Sequence, residues 1–107
     1  MIGLIIASAI HAAMLQTAAA DAARSALRAC IKEAAGQAGS QKLAGDAFTS
    51  FVRQRCSAQE TSFKSAVWSF DSKNKVSKKQ SEADATFQIE DFVAAAADRY
   101  AAENSPQ

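Results

Sequence analysis

Residues 46–71 read DAFTSFVRQRCSAQETSFKSAVWSFD, and the spacing of their apolar members decides the fold class. Phe48, Val52, Cys56, Gln59, Phe63, Val67 and Phe70 follow one another at steps of 4, 4, 3, 4, 4 and 3. Such steps put side chains on one side of an α-helix, and only Gln59 interrupts the apolar stripe. Phe51 and Ala66 widen it. Asp46 stands where an N-cap carboxylate accepts from the open N–H groups of the first turn. The spacing predicts one helix from Asp46 to about Asp71 or Ser72.

Working outward, residues 21–37 carry Ala23, Leu27, Cys30, Ile31 and Ala34 at helical steps, beside a charged row of Arg24, Arg28 and Lys32. Gly36, Gly39 and Ser40 mark a stop and a loop. On the other side, residues 72–81 (SKNKVSKKQS) read as an exposed basic connection. Ser81 followed by Asp84 resembles a capping box opening a third helix. Ala85, Ile89, Phe92, Val93, Ala96 and Tyr100 form the apolar face of that helix. The expected fold is all-α: a small three-helix bundle, an antiparallel hairpin plus a third helix, over residues 21–103. Residues 104–107, with Pro106, are expected to fray. With 107 residues there is room for one domain, and 26 alanines against one proline suit helix.

Residues 1–20 contain no charged side chain, and residues 1–15 are mostly apolar. Small residues at Ala18 and Ala20 fit an A-x-A cleavage site, so residues 1–20 are expected to be a secretory signal peptide. The run is short for a membrane span, and the mature form is expected to have none. It also lacks the usual Lys or Arg near its start. A buried core helix and an uncleaved anchor remain open as alternatives. If the signal reading holds, residues 1–20 make no core contacts, and His11 leaves with them.

Cys30 and Cys56 each lie within an apolar stripe. Counted from the loop between the two helices, they sit roughly 11 and 15 Å deep at 1.5 Å per residue. An antiparallel hairpin can bring sulfurs at such depths together, and one disulfide is expected, with two buried free thiols as the alternative. The closed loop of 27 residues would stabilise the fold by about 3.5 kcal/mol on chain-entropy arithmetic.

The charge divides along the chain. Residues 21–79 hold 11 Lys and Arg against 5 Asp and Glu, whereas residues 80–107 hold one Arg against 6 acids. An acidic third helix is thus expected to pack on a basic hairpin, with long-range attraction choosing its orientation. The overall charge of +1 gives no reason to expect nucleic acid as a partner.

No P-loop, GxGxxG or nucleophile elbow occurs, and the mature chain would lack histidine. Serine or cysteine triads and His-type zinc sites are therefore not expected, nor is any cofactor. Glu90 with Asp91, and Glu60, leave a carboxylate-based enzyme as a remote alternative. Lys73, Lys75, Lys78 and Lys79 place four cations in seven residues without an aromatic among them. They suit an anionic membrane or polysaccharide surface, or simply a solvated linker. Trp68, one step off the stripe, and Phe87, off the third helix's apolar face, are candidates for a hydrophobic interaction patch.

Cys30, a polar loop, Arg55-Cys56-Ser57-Ala58-Gln59-Glu60 and Phe63 together resemble small uncharacterised exported bacterial proteins with a disulfide-linked helical hairpin. The resemblance covers residues 24–70 and, less clearly, 91–101. It implies export and the disulfide, and it carries over no site residue. The reading as a whole is an exported protein, periplasmic or secreted, with a non-enzymatic binding or accessory role in the cell envelope. Its partner is an unknown protein or an anionic envelope component.

Overall fold

The structure, a computed structural model, describes residues 2–104, and the side chains of 17–104. Four helices follow one another: α1 (Ile2–Ser40), α2 (Gly45–Arg55), α3 (Ser57–Lys73) and α4 (Lys78–Glu103). The class is all-α, as expected, but the helices number four and not three. The predicted second helix divides at Cys56, whose backbone angles are φ −107° and ψ 16°.

The break is a re-aiming of the chain more than a loop. Cys56 N–H still donates to Val52 O (3.0 Å), and Glu60 N–H donates to Cys56 O (2.9 Å). Phe48, Val52 and Cys56 follow at steps of four, and each such step overshoots the helical turn by about 40°. The step of three after Cys56 cancels most of that overshoot, so the apolar stripe continues on the same side from α2 into α3. Phe48, Val52, Cys56, Phe63 and Val67 are all buried. Glu60 is buried too, while Gln59, expected in the stripe, and Phe70 are half-buried.

Contacts fix the helix directions. Arg24 lies over the Phe63 ring and Cys30 is bonded to Cys56, so α1 runs antiparallel to the α2–α3 segment. Arg24 Nε donates to Gln88 Oε1 (3.2 Å), and Tyr100 reaches the end of α1, so α4 runs parallel to α1. Leu27, Ile31, Ala34 and Ala38 from α1 meet the stripe, and Ala85, Ile89, Val93 and Tyr100 close the core from α4. Phe92 and Ala96 only half-bury at its edge.

The helix ends depart from expectation in three places. α1 runs through Gly36 and Gly39, and ends in a Schellman turn with Lys42 at the left-handed position, φ 56°. There Leu43 N–H donates to Ala38 O (3.0 Å) and Lys42 N–H to Gly39 O (3.1 Å). Asp46 is not the cap of α2: Ala44 holds that place, and Asp46 sits in the first turn, where its charge meets the helix dipole. The cap of α4 is Ser77, whose hydroxyl accepts from Gln80 N–H (3.1 Å). Ser81, expected to be that cap, is instead a buried core residue.

α1 is also continuous through the expected cleavage point. Ala18, Ala19, Ala20 and Asp21 are all helical, and Ala20 is buried, so the last residue of the expected leader contributes to the packed body. The side chains of residues 1–16, including His11, lie outside the described residues, as do Ser105, Pro106 and Gln107 of the expected tail. Among the described residues no helix is long and apolar enough to cross a membrane.

Candidate functional site

The Cys30–Cys56 disulfide is formed, with a Cα–Cα separation of 5.8 Å. It ties the C-terminal third of α1 to the hinge between α2 and α3. Cys30 Sγ also lies 3.8 Å from the carbonyl oxygen of Arg55, a contact and not a hydrogen bond, because a disulfide sulfur carries no proton. Both cysteines are consumed, and this pair is structural.

Beside the hinge, Arg53 Nη2 donates to Glu60 Oε1 at 2.8 Å. The hydrogen bond to Glu60 raises the Arg53 pKa above its ordinary value; burial opposes this, and the charges of Glu60 and Glu90 add to it. Among the described residues the ion pairs are Arg53–Glu60 and Arg24–Asp21, and neither reaches α4. The acidic helix packs on the hairpin through apolar side chains, the Arg24–Gln88 hydrogen bond, the Tyr100 hydroxyl and the Arg28 guanidinium over Phe92, and not through ion pairs among the described residues. Its acids stay in solvent.

The carboxylates named from sequence are not brought together. Glu60 faces a shallow depression of about 520 Å³ shared with Thr49, Arg53 and Lys64. Glu90 and Asp91 are exposed on α4 and line neither groove. Among the described residues no cluster of three or more His, Cys, Asp or Glu could hold a metal ion.

The lysines gather at one end of the bundle. Lys73 is the last residue of α3, Lys75 takes the left-handed position after it (φ 62°), and Lys78 and Lys79 open α4. All four are exposed. They are thus not one loop, as the sequence suggested: the connection itself is only residues 74–77. Lys73 lies ten residues beyond Phe63 and Lys78 ten before Gln88, and both of those partners stand beside Arg24. Ten residues back from Arg24, α1 reaches this same end and continues as helix to Ile2. Two local preferences are set aside here. Lys75 occupies a conformation that costs a non-glycine residue about 1–2 kcal/mol. Lys78 and Lys79 sit at the positive end of the α4 dipole, where no acid stands in the first turn.

Trp68 is half-buried on α3, and Phe87 on α4 is 70% exposed. Among the described residues they do not stack on each other, and the ring pair that stacks is Phe48 with Tyr100.

A feature missed from sequence lies between the C-terminal halves of α1 and α4. This groove, of about 860 Å³, is lined by Arg28, Lys32, Gly36, Gly39, Ala95 and Arg99, with Phe92 and Tyr100 at its floor and Glu103 at its end. Neither glycine adopts a positive φ, and a Cβ added at either meets nothing within 4 Å. Glycine inside a helix costs about 0.5–1 kcal/mol against alanine, and nothing among the described residues requires it here. Two glycines three residues apart inside a helical pattern are the available signal, and the same pair is also a common helix stop.

Comparisons with protein-family models, with curated proteins and with solved structures gave no match.

Proposed function

We propose that the protein is a small non-enzymatic binding module of the cell envelope that docks on an anionic surface through its lysine-bearing end. The observation that carries this reading is the exposed set Lys73, Lys75, Lys78 and Lys79, gathered about the positive end of the α4 dipole. Local stability favours other residues at three of these positions, and an anionic ligand supplies the reason for lysine. Each lysine near an anionic bilayer contributes about 1 kcal/mol, so four give a reversible attachment. The charge-free apolar run of α1 leads away from the same end. Where that run is retained, it adds a hydrophobic contribution to the electrostatic one, and stable membrane attachment generally takes two such signals. The disulfide suits an oxidising compartment such as the periplasm or cell exterior.

The test is co-sedimentation of the full chain with vesicles, either neutral or containing about one-third anionic phospholipid. Binding is expected on the anionic vesicles only. It should fall steeply as salt rises, and it should be lost when the four lysines are replaced by glutamine. Equal binding to both vesicle types, or binding indifferent to the glutamine variant, overturns the reading. Capture on an anionic polysaccharide but not on vesicles would move the ligand from lipid to polysaccharide.

A further inference from the structure

The geometry points to head-to-tail self-association, in which the groove between α1 and α4 receives the acidic outer stripe of α4 from a second copy. The stripe is Asp84, Phe87, Asp91, Ala94 and Asp98, at steps of 3, 4, 3 and 4 along α4, and every member is exposed. It lies on a different side of α4 from the residues that line the groove. Phe87 is the large hydrophobic side chain most open to solvent among the described residues.

Groove and stripe complement each other in charge, length and shape. The rim of the groove carries Arg28, Lys32 and Arg99 against Glu103 alone, and the stripe carries three aspartates. Lys32, Arg99, Asp91 and Asp98 form no ion pair within the described chain. Asp84 accepts only from Gln80 of its own helix, and Arg28 lies over Phe92. From Arg28 to Gly39 the groove runs about 17 Å, and from Asp84 to Asp98 the stripe runs about 21 Å. Gly36 and Gly39 leave the floor low enough for another helix to approach closely, which is what small residues at a helix crossing allow. A docked α4 would bring its aspartates to the cationic rim and cover Phe87 against apolar surface. This one occupant therefore explains two features that the monomer leaves without a role, the interior glycines and the exposed phenylalanine.

Because the two surfaces are different patches of one chain, the contact is heterologous. Copies add in one direction, into a ring or an open row, and each free end keeps one unused surface. Electrostatic pairing at a solvent-exposed rim makes the association sensitive to salt.

The experiment is sedimentation of the full-length protein over a concentration series, with Phe87→Ser and Gly36→Leu variants alone and mixed. The wild type should form species larger than dimers, and the apparent dissociation constant should rise about tenfold or more at high salt. Phe87→Ser and Gly36→Leu should each be monomeric. An equimolar mixture should form dimers and nothing larger, because one intact groove meets one intact stripe. Gly36→Leu should melt no lower than the wild type, since its side chain enters open space, and this separates a blocked groove from a misfolded chain. Phe87→Ser should bind anionic vesicles as the wild type does. A wild type that stays monomeric at several hundred micromolar and low salt overturns the proposal. So does association that survives both substitutions, which would place the contact elsewhere, for instance in the apolar first part of α1.

Discussion

The two ends of the bundle make their turns in the same way and use them differently. At one end α1 stops with Lys42 in the left-handed conformation; at the other, α3 stops with Lys75 in it. In both turns a backbone N–H reaches back five residues, Leu43 to Ala38 and Val76 to Asp71, at 3.0 and 3.1 Å. The first turn is then locked. The Tyr100 phenol donates to Leu43 O at 2.5 Å, with Ala38 O 3.3 Å away, and the ring stacks on Phe48 at 4.4 Å between centroids. Among the described residues the second has no such lock: Val76 is half-buried and the lysines around it are exposed. One end holds α1, α2 and α4 together, and the other carries the exposed lysines of the proposed docking surface.

The largest effect should come from emptying the locked end. Phe48 is fully buried, and Phe48→Ala should cost about 3–5 kcal/mol in denaturant unfolding. If the cost is near zero, α2 is not part of the cooperative unit. Next, reducing Cys30–Cys56 should lower stability by about 3.5 kcal/mol, read as a drop in melting temperature with thiol present. An unchanged melting temperature would mean that packing alone holds the hinge. Tyr100→Phe keeps the stacked ring and removes the hydroxyl, leaving Leu43 O without its donor. It should cost about 1–2 kcal/mol, and no loss would show that the lock is the ring and not the hydrogen bond.

Smaller changes sharpen the comparison. Lys42→Gly relieves the left-handed strain and should raise stability by about 1 kcal/mol, measured by chemical denaturation. A loss there would show that the Lys42 side chain contributes contacts that outweigh the strain. Replacing Lys73, Lys75, Lys78 and Lys79 together by glutamine should raise stability by no more than about 1–2 kcal/mol, since all four are exposed and two of the charges leave the positive end of the α4 dipole. A large shift would make the lysine end part of the scaffold, and would confound any loss of surface binding.

Much of the scaffold was legible beforehand. The stripe from Phe48 to Val67, its partners Leu27 and Ile31, and the faces of Ile89, Val93 and Tyr100 all follow from spacing, because helical periodicity is a local property. The disulfide followed from the same spacing applied to two facing helices. The break at Cys56 did not, although Ser57 and Glu60 carry the spacing of a capping box. Cys56 is the residue that opens α3, with no side-chain cap bond, and the carboxylate of Glu60 turns to Arg53 instead. Phe92, read as a core residue, proved half-buried beneath Arg28, because the neighbouring helix offers small side chains and an open groove there. The lysines were found by composition. Their division between a helix end, a left-handed turn and a helix start was not, since it depended on where α4 began.

Sequence by itself determined that this chain is helical, which faces are apolar, and that Cys30 and Cys56 can meet. These properties rest on the helical repeat and on the intrinsic preferences of an alanine-rich, proline-poor chain. Only the tertiary structure decided where the second helix bends, that α1 passes through its glycines, and which charges find partners. Each of those outcomes depends on what stands across from a residue. A helix continues through Gly36 and Gly39 when a packed neighbour such as α4 steadies it, and it bends at Cys56 when a disulfide and a facing stripe reward the bend. The spacing of residues along one helix carries no record of that opposing surface.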